Sequence, residues 1–544
     1  MIHARLRAGL KYSLFSLAVL PAVVACSDDG NTTSGGTGGF DPTATGGAGA
    51  ALSGTGGTVG SGGAVTGGMP GVGGGLGGAS PTGGAATGGA SPMGGAVTGG
   101  ALPTGGATPV GGGSPTGGVA TGGAATGGVG AASTGGAGAG GSGAGGSGTG
   151  GEPTGGNPGT GGGTVIPDGG YPENTGAGCD VSAAQTGANN PNLPDPFAMH
   201  DGTRISTMAE WPCRRNEIKK DIEALEIGTK PEPPEVTASV NGNSLQVVVT
   251  TSSGSITLSS NIGNGSDCVM IAMGFGGLSS SCVGLTFNTD QVMSYANGSG
   301  SFDGGDPFFT VYPQAWQGNT STVAKYAAWA WGVSRLIDGL EQVQDQLGID
   351  MSRIGVQGCS YAGKMALFSG AFDERVALTI AQESGGGGIN SWRTSQDFVD
   401  RTGTNIEKID NTNYSWFLPS MQRLNPYTLP HDHHELIAMI APRAVIALGN
   451  RDYEWLGDES GFKSINAAME VWKAMGLEDH IGYDFTTGHS HCQAAQSQVQ
   501  SAGAFISRFL EGGSDDTLIR VDPPSNGFDL DWTNVVDWAT PTLQ

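Results

Sequence analysis

Apolar positions are distributed unevenly along the chain, and their pattern sorts it into three stretches. Tyr12 to Val24 is a short apolar run behind the basic residues Arg5, Arg7 and Lys11. From about Ser27 to Pro172, Thr-Gly-Gly-Ala and close variants recur with almost no aromatic or charged residues. From Cys179 onward, periodic patterning begins. Ala328, Trp329, Trp331, Val333, Leu336, Ile337 and Leu340 fall mostly at helical spacings, which predicts an amphipathic helix from near Thr322 to Gln346. Arg353 to Gln357 reads as a short buried strand, and Lys364 to Phe372 as a helix. Val376 to Ala381 and Ala444 to Leu448 are further strand-like runs, and Tyr483 to Thr487 leads into a final polar cluster.

The first stretch has the basic flank and length of a secretory signal and is too short to span a bilayer comfortably. Val23, Val24, Ala25 and Cys26 resemble a bacterial lipobox, so residues 1–26 are expected to be a lipoprotein signal with Cys26 lipidated. The alternative is ordinary cleavage near Ala25. The second stretch, residues 27–178, holds much of the chain's total of 102 glycines. It carries too little apolar surface to offset its ordering entropy and is expected to be a disordered linker. Its r.m.s. reach as a flexible coil would be roughly 60–70 Å. One globular domain is expected over 179–512, with an unassigned C-terminal extension over 513–544. Its size suits a large α/β domain.

A net charge of −24 argues against nucleic acid and against docking on anionic lipid. A membrane contact is expected only through the lipid anchor, and a monomer is expected. The expected location is outside the cytoplasm, lipid-anchored to a bacterial envelope or secreted. Beyond Cys26 the cysteines are Cys179, Cys213, Cys268, Cys282, Cys359 and Cys492. An even number in an exported domain suggests three disulfides, which allows 15 pairings. No spacing among them resembles a zinc ligand set, and no metal or organic cofactor is expected.

The chemistry concentrates after the first of these strands. Gly358, Cys359, Ser360, Tyr361, Ala362 and Gly363 stand between a strand and a helix, the arrangement of a nucleophile elbow. Such a turn exposes the serine hydroxyl and needs small residues where backbone approaches backbone. The second glycine falls one place later than in the strict G-x-S-x-G form. Val376 to Ala381 ends in Gln382, Glu383 and Ser384 and then four glycines, expected to be a mobile run beside a carboxylate at a strand end. Asp452, after Ala444 to Leu448, competes with Glu383 as the triad acid. His489 and His491 compete as the base in Gly488-His489-Ser490-His491-Cys492. Serine, acid, then histidine is the chain order of α/β-hydrolases. A Cys359–Cys492 disulfide would hold the two Cα atoms about 4.4–6.8 Å apart. It would bring Ser360 and His491 into one small volume, which favours His491 over His489.

The chain resembles the glucuronoyl esterases, carbohydrate esterase family 15. The matching segments include Leu193-Pro194-Asp195-Pro196-Phe197, Trp329-Ala330-Trp331-Gly332-Val333-Ser334-Arg335, and Gly358-Cys359-Ser360 with Gly363-Lys364. They continue through Gln382-Glu383-Ser384-Gly385, Trp392-Arg393, Asp432-His433-His434, Trp455-Leu456-Gly457 and Gly488-His489-Ser490-His491-Cys492. The resemblance implies an α/β-hydrolase fold, a three-layer αβα sandwich with a largely parallel sheet. It implies a Ser360, His491 and Glu383 triad, and contacts from Lys364 and Trp455 to the hydroxyls of a glucuronate ring. It also implies disulfides Cys359–Cys492 and Cys179–Cys213, leaving Cys268–Cys282 as the third. The family's serine is normally followed by an arginine that helps stabilise the oxyanion; here Tyr361 stands in that place and offers its backbone N–H. No residue between Gln396 and Trp416 is assigned to the family's polar sugar contacts.

His431, Asp432, His433, His434 and Glu435 have metal-like chemistry, but the resemblance gives them a structural or helix-capping role. Trp211, Arg214 and Arg215 read as packing and loop-anchoring residues. The implied activity is serine-dependent hydrolysis of esters of (4-O-methyl-)glucuronic acid, as in the lignin–carbohydrate linkages of glucuronoxylan. The alternatives are an esterase acting on acetyl or methyl esters of another polysaccharide, and a catalytically weakened carbohydrate-binding surface lipoprotein.

Overall fold

The computed structural model describes residues 172–274, 277–295 and 301–544; the signal segment, Cys26 and nearly all of the linker lie outside them. The strands are β1 Glu235–Asn241, β2 Ser244–Thr250, β3 Ser255–Asn261, β4 Asp267–Met273, β5 Val283–Phe287, β6 Ile349–Cys359, β7 Val376–Gln382, β8 Ala444–Leu448, β9 Ile481–Asp484 and β10 Arg520–Val521. The helices are α1 Trp211–Ile222, α2 Phe308–Val311, α3 Lys325–Leu347, α4 Tyr361–Phe372, α5 Trp392–Thr402, α6 His433–Ala438, α7 Asp458–Ala474 and α8 Gln496–Phe509.

β1, β2 and β3 form a small antiparallel sheet, and the other seven form a sheet in the order β10-β9-β8-β7-β6-β4-β5. Every pairing in the larger sheet is parallel. Its central strands send side chains to two apolar cores, one on each face, as the period of two requires. Met270, Leu378, Ile380, Ile446 and Leu448 join Ala502, Phe505 and Ile506 of α8 in one core. Val269, Ile271, Val356, Val445 and Ala447 join residues of α3, α4 and α7 in the other. The result is the αβα sandwich of an α/β-hydrolase.

The chain builds β4 and β5 outward to one edge, then crosses back to place β6 on the other side of β4. That reversal is the topological switch point of the sheet, and open α/β sheets bind ligands outside the carboxyl ends of the strands there. Register aligns those ends: Met273 pairs with Gly358, Cys359 with Gln382, Gln382 with Leu448, and Leu448 with Asp484. Ser360 and Glu383 therefore leave neighbouring strands at one level.

Several local expectations shift. α3 begins at Lys325, and its first half is buried on all sides, so it is a core helix before it becomes amphipathic. α4 starts at Tyr361, directly behind the serine, and not at Lys364. β10, from the stretch beyond residue 512, is an edge strand of the main sheet. That same stretch is tied down at Trp538, whose indole N–H donates to Leu193 O at 2.9 Å. At the other boundary, Glu173 pairs with Arg335 at 2.5 Å and with Lys230.

The run Gly385 to Gly388 is not mobile as expected: each glycine is buried. A Cβ on Gly386 would lie 2.3 Å from Glu407 O, so glycine is needed here for close backbone approach. His433 Nδ1 donates to Gly388 O at 2.7 Å, and its Nε2 meets Glu226 at 2.9 Å. His431 and the Trp392 indole share the same Glu226 carboxylate, each at 2.8 Å. Asp432 caps α6 in a capping box with Glu435 and also accepts from the Trp392 and Arg393 backbone N–H groups. The His431–Glu435 segment is thus a buried bracket under the glycine run. Trp211, Arg214 and Arg215 are buried beside it, with Arg214 bonded to Glu435 at 2.6 Å.

Candidate active site

Ser360 sits between β6 and α4 at φ 59° and ψ −125°, a conformation that costs energy for a residue with a Cβ. The turn survives because its neighbours are small. A Cβ on Gly358 would lie 2.2 Å from Ala362 O, and one on Gly363 would lie 2.5 Å from Gln382 O. This explains the late second glycine: Gly363 is where α4 crosses the end of β7. Ser360 N donates to Gln382 O at 3.0 Å, and Lys364 N to Ser360 O at 3.1 Å. The first N–H groups of α4 therefore open toward the serine, where the helix dipole favours negative charge.

Among the described residues, the non-glycine ones with positive φ are Asp267, Ser360, Glu383 and Cys492. All but Asp267 lie within this one cluster, and such strain collects where the surroundings over-determine a functional geometry. The disulfides are Cys179–Cys213, Cys268–Cys282 and Cys359–Cys492. The last holds its Cα atoms 5.6 Å apart and ties the residue before Ser360 to the residue after His491. Cys359, His491 and Cys492 lie close enough to suggest a metal site, but both sulfurs are spent in that bond.

Glu383 is 1% exposed. Its Oε2 lies 2.6 Å from His491 Nδ1, and its Oε1 accepts from Cys492 N at 3.0 Å and Gln382 Nε2 at 3.1 Å. Asp452 is occupied elsewhere, accepting from Gly488 N at 2.5 Å. His489 is engaged by Thr486 O at 2.9 Å and by Asn450, and its Nδ1 is 3.9 Å from Glu383. Of the two acids and two histidines weighed from the sequence, the fold therefore brings Glu383 and His491 together beside Ser360.

Two walls flank this group. On one side Trp455, 48% exposed, has its ring 4.9 Å from that of His491, with Tyr453 at 5.5 Å. On the other, buried Lys364 bonds Glu407 at 2.6 Å and lies 5.5 Å from the Trp416 ring centroid. Thr412 Oγ1 donates to Glu407 at 2.5 Å. Tyr361 extends this wall, its ring 4.3 Å from Tyr295 and 6.0 Å from Trp416. Burial raises the Tyr361 phenol above its ordinary range, so it stays neutral. Its carbonyl accepts from the Tyr326 hydroxyl at 3.2 Å, which fixes the peptide after Ser360.

Sequence reasoning missed Glu407, Trp416 and Asp458. Glu407 lies in an irregular loop with no motif around it, and only its contact with Lys364 marks it. Asp458 is buried at the start of α7. Burial and the nearby charge of Glu383 push its carboxyl up to about 8.

A family model described as glucuronyl esterase, fungi, matches residues 236–476. The 4-O-methyl-glucuronoyl methylesterase of Schizophyllum commune is 36% identical over 379 residues, covering 67% of this chain and 94% of that one. The glucuronoyl esterase catalytic domain from Hypocrea jecorina superposes with a TM-score of 0.61 at 34% identity, covering 66% of this chain and 99% of that one. The Sporotrichum thermophile enzyme, solved in complex with methyl 4-O-methyl-β-D-glucopyranuronate, gives 0.59 at 34% identity, covering 67% and 100%. With the serine elbow, the paired histidine and glutamate and these likenesses together, the chain belongs to the glucuronoyl esterase family.

Proposed function

We propose that this protein hydrolyses esters of 4-O-methyl-glucuronic acid by a serine mechanism, with Ser360 as nucleophile, His491 as base and Glu383 as its orienting acid. The observation that carries the assignment is the 2.6 Å contact of Glu383 with His491 across the Cys359–Cys492 bridge from Ser360. Glu383 holds Nδ1 protonated, which leaves Nε2 as the basic nitrogen. His491 takes the Ser360 proton as Oγ attacks the ester carbon. The oxyanion gathers at the N-terminus of α4, where the Tyr361 N–H donates. His491 then protonates the departing alcohol, and water releases the acyl-enzyme by the reverse sequence. Lys364, paired with Glu407, and Trp455 flank the serine as polar and aromatic walls suited to the uronate ring.

The substrate class follows from relatives named 4-O-methyl-glucuronoyl methylesterase and from a related enzyme solved with a methyl glucuronate ester. Glucuronoxylan esterified to lignin alcohols is the natural material this reading implies. Hydrolysis of methyl 4-O-methyl-glucuronate by purified protein, beside an acetylated sugar, is the direct test. Turnover of the uronate ester that disappears in Ser360→Ala supports the assignment; turnover of the acetyl ester alone sinks it. Three disulfides fit an oxidising compartment. Tethering through Cys26 rests on the lipobox pattern, and labelling with radioactive palmitate in cells carrying Cys26→Ser tests it.

A further inference from the structure

A groove of about 510 Å³ runs along the outer side of β5 between that strand and β3. Ser259, Asn261, Thr286, Asn288 and Gln291 line it, and Gly274 closes its inner end. None of its described lining residues is charged, and Phe287, the aromatic one among them, is only 4% exposed. Asn261, Thr286 and Asn288 are exposed, so the groove opens to solvent along its length. Two of its amides are pre-set. Gln291 Oε1 accepts from Ser259 N at 2.8 Å, and Asn288 Oδ1 accepts from Asp290 N at 3.0 Å. Each side chain is thereby held with its N–H₂ group as the part it can offer a ligand.

The inner end reaches the reaction centre. Met273 pairs with Phe287 on one side and with Gly358 on the other. At about 4.8 Å per strand, Asn288 stands roughly 10 Å from the serine elbow. Gly274 follows Met273, and a Cβ placed on it would lie 2.8 Å from the Tyr361 hydroxyl. Tyr361 thus reaches from the position after the nucleophile to the inner end of the groove.

We propose that this groove binds a neutral glycan segment, the uncharged sugar chain that carries the esterified uronate. The inference rests on the esterase reading and extends it. Hydroxyls and amides with no cation among the described lining residues give a polyanion nothing to pair with. Neutral sugar hydroxyls, which both donate and accept, match them.

The test compares three esters: methyl 4-O-methyl-glucuronate, the benzyl ester of the same free uronate, and the methyl ester borne on a neutral xylo-oligosaccharide. Asn261→Trp fills the groove; Gln291→Glu keeps the oxygen that serves Ser259 and removes the free N–H₂. Each is expected to raise KM at least tenfold on the oligosaccharide ester and to leave kcat/KM on the two small esters within about twofold. Equal loss on all three esters, or no loss on any, overturns the groove assignment. A loss confined to the benzyl ester of the free uronate also overturns it, since the groove would then hold the alcohol. If wild-type protein cleaves none of the esters yet binds unesterified xylo-oligosaccharide, and Asn261→Trp abolishes that binding, the esterase reading fails while the groove stands.

Discussion

Glu383 meets His491 at 2.6 Å although 108 residues separate them in the chain. The contact depends on β7 lying beside β6 with Cys359 opposite Gln382, and on the disulfide that draws Cys492 to Cys359. Glu383→Ala is therefore expected to lower kcat by about 10³–10⁴, as loss of an orienting acid does. Asp452→Ala is expected to stay within about tenfold of wild type, because Asp452 serves the Gly488 N–H. Steady-state kinetics of the two variants at one pH decide this. A greater loss in Asp452→Ala would place the acid on the wrong strand.

The Cys359–Cys492 bridge closes a loop of 133 residues and spans the site. Replacing both cysteines with alanine is expected to cost about 2–5 kcal/mol in denaturant unfolding. It should also lower kcat well beyond what Cys268→Ala with Cys282→Ala does. That second pair lies in the core under α8, away from the serine. Equal effects on kcat would deny the first bridge a positioning role.

Asp458 gives a pH dependence of stability. Its carboxyl titrates at about 8 in the fold, through burial and the charge of Glu383, against about 4 for an ordinary aspartate. Between these values the folded state binds more protons than the unfolded one, so stability falls as pH rises from 4 to 8 and this contribution is flat above. Asp458→Asn removes the dependence. Its gain in unfolding free energy over wild type should be small at pH 4, grow to the order of a few kcal/mol by pH 8, and then level off. A gain that is the same at both pH values would refute the assignment.

Tyr361 occupies the position where the family resemblance implies an oxyanion-stabilising arginine. With the backbone N–H as donor, Tyr361→Phe is expected to change kcat by less than about threefold. Tyr361→Arg adds a charged donor and should raise kcat by at least tenfold and by no more than the roughly 10²–10³ that one such donor contributes. A large loss in Tyr361→Phe would mean that the hydroxyl itself takes part.

Much of this site is legible in the sequence. The strand, Gly-bounded serine and helix around Ser360 are local features, and local periodicity located β6, β7 and β8 to within a few residues. The exceptions have tertiary causes. α3 reads as amphipathic because periodicity cannot tell a helix half sunk in the core from one on the surface, and Gly385 to Gly388 read as mobile because composition does not reveal packing. β10 was missed because a two-residue edge strand carries no pattern of its own.

The chain by itself determined the order serine, acid, histidine and the cysteines adjoining the first and last. Those are covalent facts, and they place Ser360 near His491 once the bridge forms. The contact of Glu383 with His491, the approach of Glu407 to Lys364, and the elevated Asp458 carboxyl come only from the tertiary structure. Each depends on strand register and burial among residues dozens of positions apart, and neither quantity is written in local sequence.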